Sequence, residues 1–288
     1  MGQPRPSLAL MPAAKHRQQQ PLPSLRALAW RRRAAKLDYW LWPWLLPLII
    51  LGLWWLGGRQ QWLGSQVLPS PGEVLDSLTE LLASGELQRD VLISLERVLE
   101  GFLLGSALGL ALGAAMGLSE RASDYLYPLV RLIAYVPLLG WLPLLMLAFG
   151  IGETLKAVLV AQAALLPVAL NTYNGIRAVP PHYVEVGRIY GFSRRQALWR
   201  IILPAAFPMV WSSIRYGLTK SWLALVVVEL LASSEGLGFL MVDSRQLYRL
   251  DAMLVAVVSI GVVGFVLDQV LAMIEKRILR WRRAGFAS

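Results

Sequence analysis

Residues 98–118 read VLEGFLLGSALGLALGAAMGL, and this stretch decides the fold class. It is long enough to cross a hydrocarbon core as a helix, which takes about 20 residues, and its one charge is Glu100. Within it Gly101, Gly105, Gly109, Gly113 and Gly117 recur every four residues. A step of four rotates a helix only about 40° past a full turn, so the five glycines line a nearly straight groove. Such a groove lets a second helix backbone approach closely, and the ladder predicts a helix-packing seam.

Five further apolar runs flank this one, at about 40–57, 126–150, 157–174, 205–231 and 252–274. Across the 288 residues 56% are apolar and 16% charged, against roughly 25% charged in a soluble domain. The mean hydropathy of +0.53 agrees. The reading is an all-α polytopic membrane protein with six transmembrane helices. A soluble helical bundle would need far more charged, amphipathic helix around those runs.

The net charge of +10 is read by its position. Arg5, Lys15, Arg17, Arg26, Arg31, Arg32, Arg33 and Lys36 precede the first run, and Lys276, Arg277, Arg280, Arg282 and Arg283 follow the last. Arg177, Arg188, Arg194, Arg195 and Arg200 fall between the fourth and fifth runs. Segments assigned to the other side carry Arg59, Arg89, Lys156, Arg245 and Arg249. This asymmetry places both termini in the cytoplasm. The charge is thus a topology signal and gives no reason to expect nucleic acid. Residues 1–39, rich in Pro, Gln and Arg, are expected as a disordered basic tail. Residues 40–57 are expected as an uncleaved membrane anchor, since no small-x-small cleavage site follows directly.

The intervening segment 58–90 is expected outside. In it Ser70-Pro71-Gly72-Glu73 has the form of a capping box and starts a short helix at the outer surface, with Gly85 its stop. Residues 91–282 form the core with five spans, interrupted by a loop at 177–204. That loop is punctuated: Pro180 and Pro181 can start one helix, Gly191 supplies a tight turn, and Ser193 with Gln196 caps a second helix ahead of Pro204. Two short helices on the cytoplasmic side make a rigid handle for another protein.

Catalytic signatures are missing. There is no P-loop, H-E-x-x-H or G-x-S-x-G pattern, no cysteine, and His16 and His182 are the two histidines. The chain is read as a non-enzyme with neither metal nor cofactor of its own. Charges inside apolar runs are costly and default to function. Lys220 falls near the middle of the fifth run, where it could attract an anion or pair with Asp268 of the sixth. Arg215 and Glu229 are further pathway candidates, although Glu229 is read rather as a structural residue bonding the outer loop, and Arg131 is expected to snorkel from an interface.

The loop resembles the coupling motif of ABC importer permeases. That motif runs E-A-A, three residues, G, nine residues, I-x-L-P, and Glu185, Gly191, Ile201, Leu203 and Pro204 match it at the right spacing. Val186-Gly187 stands where two alanines are usual, a departure confined to local packing. The similarity extends from about Leu68 to Arg282, through Leu68-Pro69-Ser70-Pro71, Asn171-Thr172-Tyr173 and Gly236-Leu237-Gly238, and is strongest toward the sulfonate, taurine and nitrate branch.

This resemblance implies a type I ABC importer permease fold in the bacterial inner membrane. It implies a permease homodimer, two ATPase subunits that hold ATP and magnesium, and an external solute-binding protein delivering a small anion. Residues 182–192 would then be the lever in the ATPase. A branch importing pyrimidine-type vitamin precursors is the nearest alternative. An ion-coupled carrier or a membrane enzyme would instead show broken helices in inverted repeats or polar residues clustered at one depth, and the sequence reads as having neither.

Overall fold

The computed structural model describes residues 45–60 and 68–280, so the expected tail 1–39 and the first residues of the anchor lie outside the described residues. Helix α1 (Leu45–Arg59) is short and apolar, and a first compact unit ends within it at Leu56. The second unit holds α2 (Pro71–Ser84), α3 (Glu86–Leu118), α4 (Glu120–Tyr135), α5 (Leu138–Phe149) and α6 (Glu153–Arg177). It continues with α7 (Pro181–Ile189), α8 (Arg194–Ala197), α9 (Leu203–Ala232), α10 (Leu237–Gln246) and α11 (Leu250–Ile278). There is no strand among the described residues.

Four helical stretches among the described residues are long and apolar enough to cross a membrane, or five if the bent pair α4–α5 counts as one. The expected unbroken span at 126–150 is corrected here. Its helix breaks at Val136-Pro137 and turns by 98° between α4 and α5. The cause is local: the ring of Pro137 pushes the preceding residue out of helical geometry, and Val136 is extended with φ −78° and ψ 121°. A broken helix is therefore present, contrary to the sequence reading.

The glycines of α3 all face α6. A Cβ on Gly109 would sit 2.7 Å from the Leu165 carbonyl oxygen, and one on Gly117 would sit 2.9 Å from Ile176 Cβ. Gly101, Gly105 and Gly113 meet Val160, Ala161 and Ala169 in the same way. Backbone lies against backbone along this seam, which is where dispersion replaces the hydrophobic drive absent in lipid. Leu218, Trp222 and Leu225 of α9 pack into a common core with Val160 and Ala164 of α6 and Val255 and Ala256 of α11.

Helix α2 starts at the capping box, with Ser70 Oγ accepting from Glu73 N–H at 3.3 Å and Glu73 Oε2 accepting from Ser70 N–H at 2.6 Å. It stops at Gly85, whose φ is +79°. Its apolar face is split: Leu81 is buried, Val74 and Leu78 pack on the core, while Leu75 and Leu82 stay exposed. Ser77 hydrogen-bonds Asp251 and Arg249 bonds Glu80 at 2.7 Å, tying α2 to α11.

Candidate functional site

The loop at 177–204 is built by the residues that punctuate it. Helix α7 has Pro181 in its first turn, where a missing N–H costs nothing. Gly191 takes φ +74°, and its N–H donates to the Arg188 carbonyl at 2.9 Å, closing the turn. Ser193 and Gln196 make the reciprocal cap, at 3.3 and 2.8 Å. The second helix is not separate from the fifth span, as the sequence reading had it. Residues 198–202 widen into one π turn that leads directly into α9. Pro204 has no N–H for the regular ladder and its ring crowds the preceding turn, and a π turn absorbs that mismatch without breaking the rod.

Gly187 explains the departure from two alanines. It is the buried residue of α7, and a Cβ there would lie 2.6 Å from Ile201 Cδ1. The α7 helix thus rests on the rod through Gly187 and Ile201. Ile201 is half-buried beneath it, Leu203 is half-buried and lines a cavity with Leu110, Thr172 and Ile176, and Glu185 and Pro204 are exposed. Tyr183, Val186, Ile189 and Tyr190 of α7 are exposed, Ile189 at 84%, as are His182, Glu185 and Arg188, and Tyr183 and Val186 line a groove that α7 forms with the end of α6 and the start of α9.

The α4–α5 break opens a cavity of about 550 Å³ between α4, α5, α6 and α9. Lys220, Tyr216 and Gln162 bring polar atoms to its wall, and Pro137, Leu166 and Val227 are among its apolar lining. Lys220 is exposed, with its Nζ 5.2 Å from the centre of the Tyr216 ring. The alternative pairing of Lys220 with Asp268 is not made. Arg215 takes that carboxylate with two 2.6 Å bonds and reaches Glu275 at 3.2 Å. Five residues of α9 separate the two cations and turn them to different sides, and Arg215 is the one on the side of α11.

Glu229 does not line the cavity and sits in a buried junction, where it bonds the outer loop as the sequence suggests and also meets Ser94 and Arg97, which the sequence reading did not name. Its carboxylate accepts from Ser94 Oγ at 2.9 Å, Gly238 N–H at 3.0 Å and Arg97 Nη1 at 3.1 Å. Arg97 also holds Glu153 at 2.6 and 2.7 Å and the Glu235 carbonyl at 2.8 Å. Asp90 accepts from Gly236 N–H at 3.0 Å. These bonds fix the tight α9–α10 turn, where Gly236 has φ +105° and a Cβ would meet the Glu229 carboxyl carbon at 2.6 Å. Asp90, Ser94 and Arg97 are spaced i, i+4, i+7, a polar stripe at helical period just ahead of the apolar run, and that stripe was the available signal.

The profile of binding-protein-dependent transport system inner membrane components matches residues 105–280, which contain four of the five seam glycines, the loop and the cavity. The chain belongs to this family of transport permeases. It is 38% identical over 264 residues to the putative aliphatic sulfonates transport permease protein SsuC of Bacillus subtilis (strain 168), covering 91% of this chain and 96% of that one. It is 31% identical over 238 residues to the taurine transport system permease protein TauC of Escherichia coli (strain K12), covering 81% and 86%. A solved amino acid ABC transporter with histidines superposes with a TM-score of 0.56 at 20% identity, over 69% of this chain and 97% of that one, and so shares the fold. This permease is a multi-pass inner membrane protein of the ABC importer type.

Proposed function

We propose that this permease forms the pathway of an ATP-driven importer for a small sulfonate-type anion, with taurine and nitrate as the nearest alternative cargoes. It would act as a homodimer, take energy from two separate ATPase subunits that bind ATP and magnesium, and receive cargo from an external solute-binding protein. The loop end of the bundle, and both termini with it, would face the cytoplasm. Reporter fusions after Gly175 and near Gly85 on opposite sides of the membrane would check that orientation.

The observation that carries the coupling role is α7 itself, which leaves Tyr183, Val186, Ile189 and Tyr190 uncovered and is seated through Gly187 and Ile201 on a helical rod that continues into the bundle. Four large apolar side chains in water are unfavourable, and covering them with a partner groove is the natural use of such a patch. Movement of that partner would reach the cavity through α9 without a flexible joint. Glu185 and Gly191 would shape α7 rather than touch cargo. The test is a Gly191→Val, Glu185→Ala double variant in vesicles holding all subunits, measured for ATP-dependent uptake and cargo-stimulated ATP hydrolysis. Loss of uptake with continued insertion supports the reading; unchanged uptake counts against it.

A further inference from the structure

Arg131 and Lys220 differ from Arg215, the third cation of the apolar runs, in what holds them. Arg215 is bound by two carboxylates. Arg131 instead donates to the Tyr135 hydroxyl at 3.0 Å and the Tyr127 hydroxyl at 3.5 Å, and Lys220 sits by the Tyr216 ring. Arg177, at the end of α6, repeats the arrangement 5.9 Å from the centre of the Tyr173 ring. None of these three has a carboxylate partner among the described residues. A phenol positions a cation through its ring and hydroxyl but leaves the charge uncompensated.

The three sites form one row. On α4, Tyr127, Arg131 and Tyr135 follow at steps of four and lead to Val136, which lines the cavity with Lys220. On α6, Gln162, Leu166 and Leu170 line the same cavity, and the next positions on that face are Tyr173 and Arg177. The two helices meet where the Tyr127 and Tyr173 rings pack at 4.8 Å and Ser123 Oγ reaches Tyr173 Oη at 3.2 Å. The row therefore runs from the cavity to the base of the coupling loop.

We propose that Lys220, Arg131 and Arg177 are successive anion stations, which pass a small anion with a short apolar tail from the cavity to the loop end. This rests on the anion-import reading above. Each cation attracts the anion, and its tyrosine keeps it in place without a competing negative charge. The apolar cavity wall of Pro137, Leu166 and Val227 receives the tail. Neutral partners also avoid a trap: a carboxylate held at each station would repel the cargo, and a bare cluster of cations at one point would retain it.

The same three cations could instead bind phosphate groups of lipids, and the experiment separates the two. The complete transporter is placed in vesicles of phosphatidylcholine alone or with phosphatidylglycerol, and uptake of hexanesulfonate, taurine and nitrate is measured per assembled complex. Lys220→Gln and Arg131→Gln are each expected to lower hexanesulfonate uptake about tenfold in both lipids, with Lys220→Arg and Arg131→Lys restoring most of it. Arg245→Gln, an exposed cation off the row, keeps full uptake. Unchanged uptake by either Gln variant, or a loss confined to anionic vesicles, overturns the stations while leaving the import reading standing. An unaltered transporter that takes up none of the three anions overturns the import reading and the stations with it.

Discussion

The two ends of the bundle hold their charges in different ways. At the end away from the coupling loop, the Arg97 side chain is 10% exposed and the Glu229 side chain fully enclosed, and every strong donor there meets a carboxylate or carbonyl. Toward the loop, Arg131, Arg177 and Lys220 are exposed and meet tyrosines, while Arg215 is held by Asp268 and Glu275. The first arrangement locks three helices and a turn together, because separating the partners would leave charges stranded in a medium that cannot solvate them. The second positions cations at little structural gain. The contrast teaches that a charged residue in a membrane helix is assigned by its partners more than by its depth.

The comparison breaks first, if it is wrong, at Arg97. Arg97→Gln leaves Glu229 buried without its cation and is expected to cost about 3 to 5 kcal/mol, read as lost yield and a lowered melting temperature of the assembled transporter. A stable variant would show that the junction is ornamental. Next in size is the seam between the two ends. Gly109→Leu forces a side chain onto the Leu165 carbonyl and the Val168 side chain, and about 1 to 3 kcal/mol of destabilisation should appear as lower assembly, with cargo preference unchanged in what assembles.

Gly191→Val sharpens a smaller point. Its φ of +74° costs a branched residue about 1 to 2 kcal/mol, yet nothing lies within 4 Å of where its Cβ would be. Strain without collision should distort the turn and lower uptake while membrane insertion, followed by protease protection, stays normal. The smallest stability effect is expected at the tyrosine-held row. Arg131→Gln should change the melting temperature by an amount equivalent to about 0.5 kcal/mol or less, since exposed polar contacts contribute little. A large shift would place Arg131 with Arg97 as a structural residue and erase the difference between the ends.

Some of this was written plainly in the chain. Run length and low charge determine that the protein is helical and membrane-spanning, because a lipid core admits little else. The glycine ladder, both capping boxes and the turn at Gly191 depend on residues close in sequence, so their physics is complete within a few positions. Other features required the folded chain. The break at Val136-Pro137 opens a cavity because α6 and α9 stand beside it, and a proline in an apolar run does not say whether it kinks, ends or merely slackens a helix. Arg215 rather than Lys220 meets Asp268 because packing rotates α9 so that one cation faces α11 and the other does not. Arg97 reaches Glu153 and Glu229 across separations of 56 and 132 residues. Partners that distant are chosen by how the helices pack, and no local pattern carries that choice.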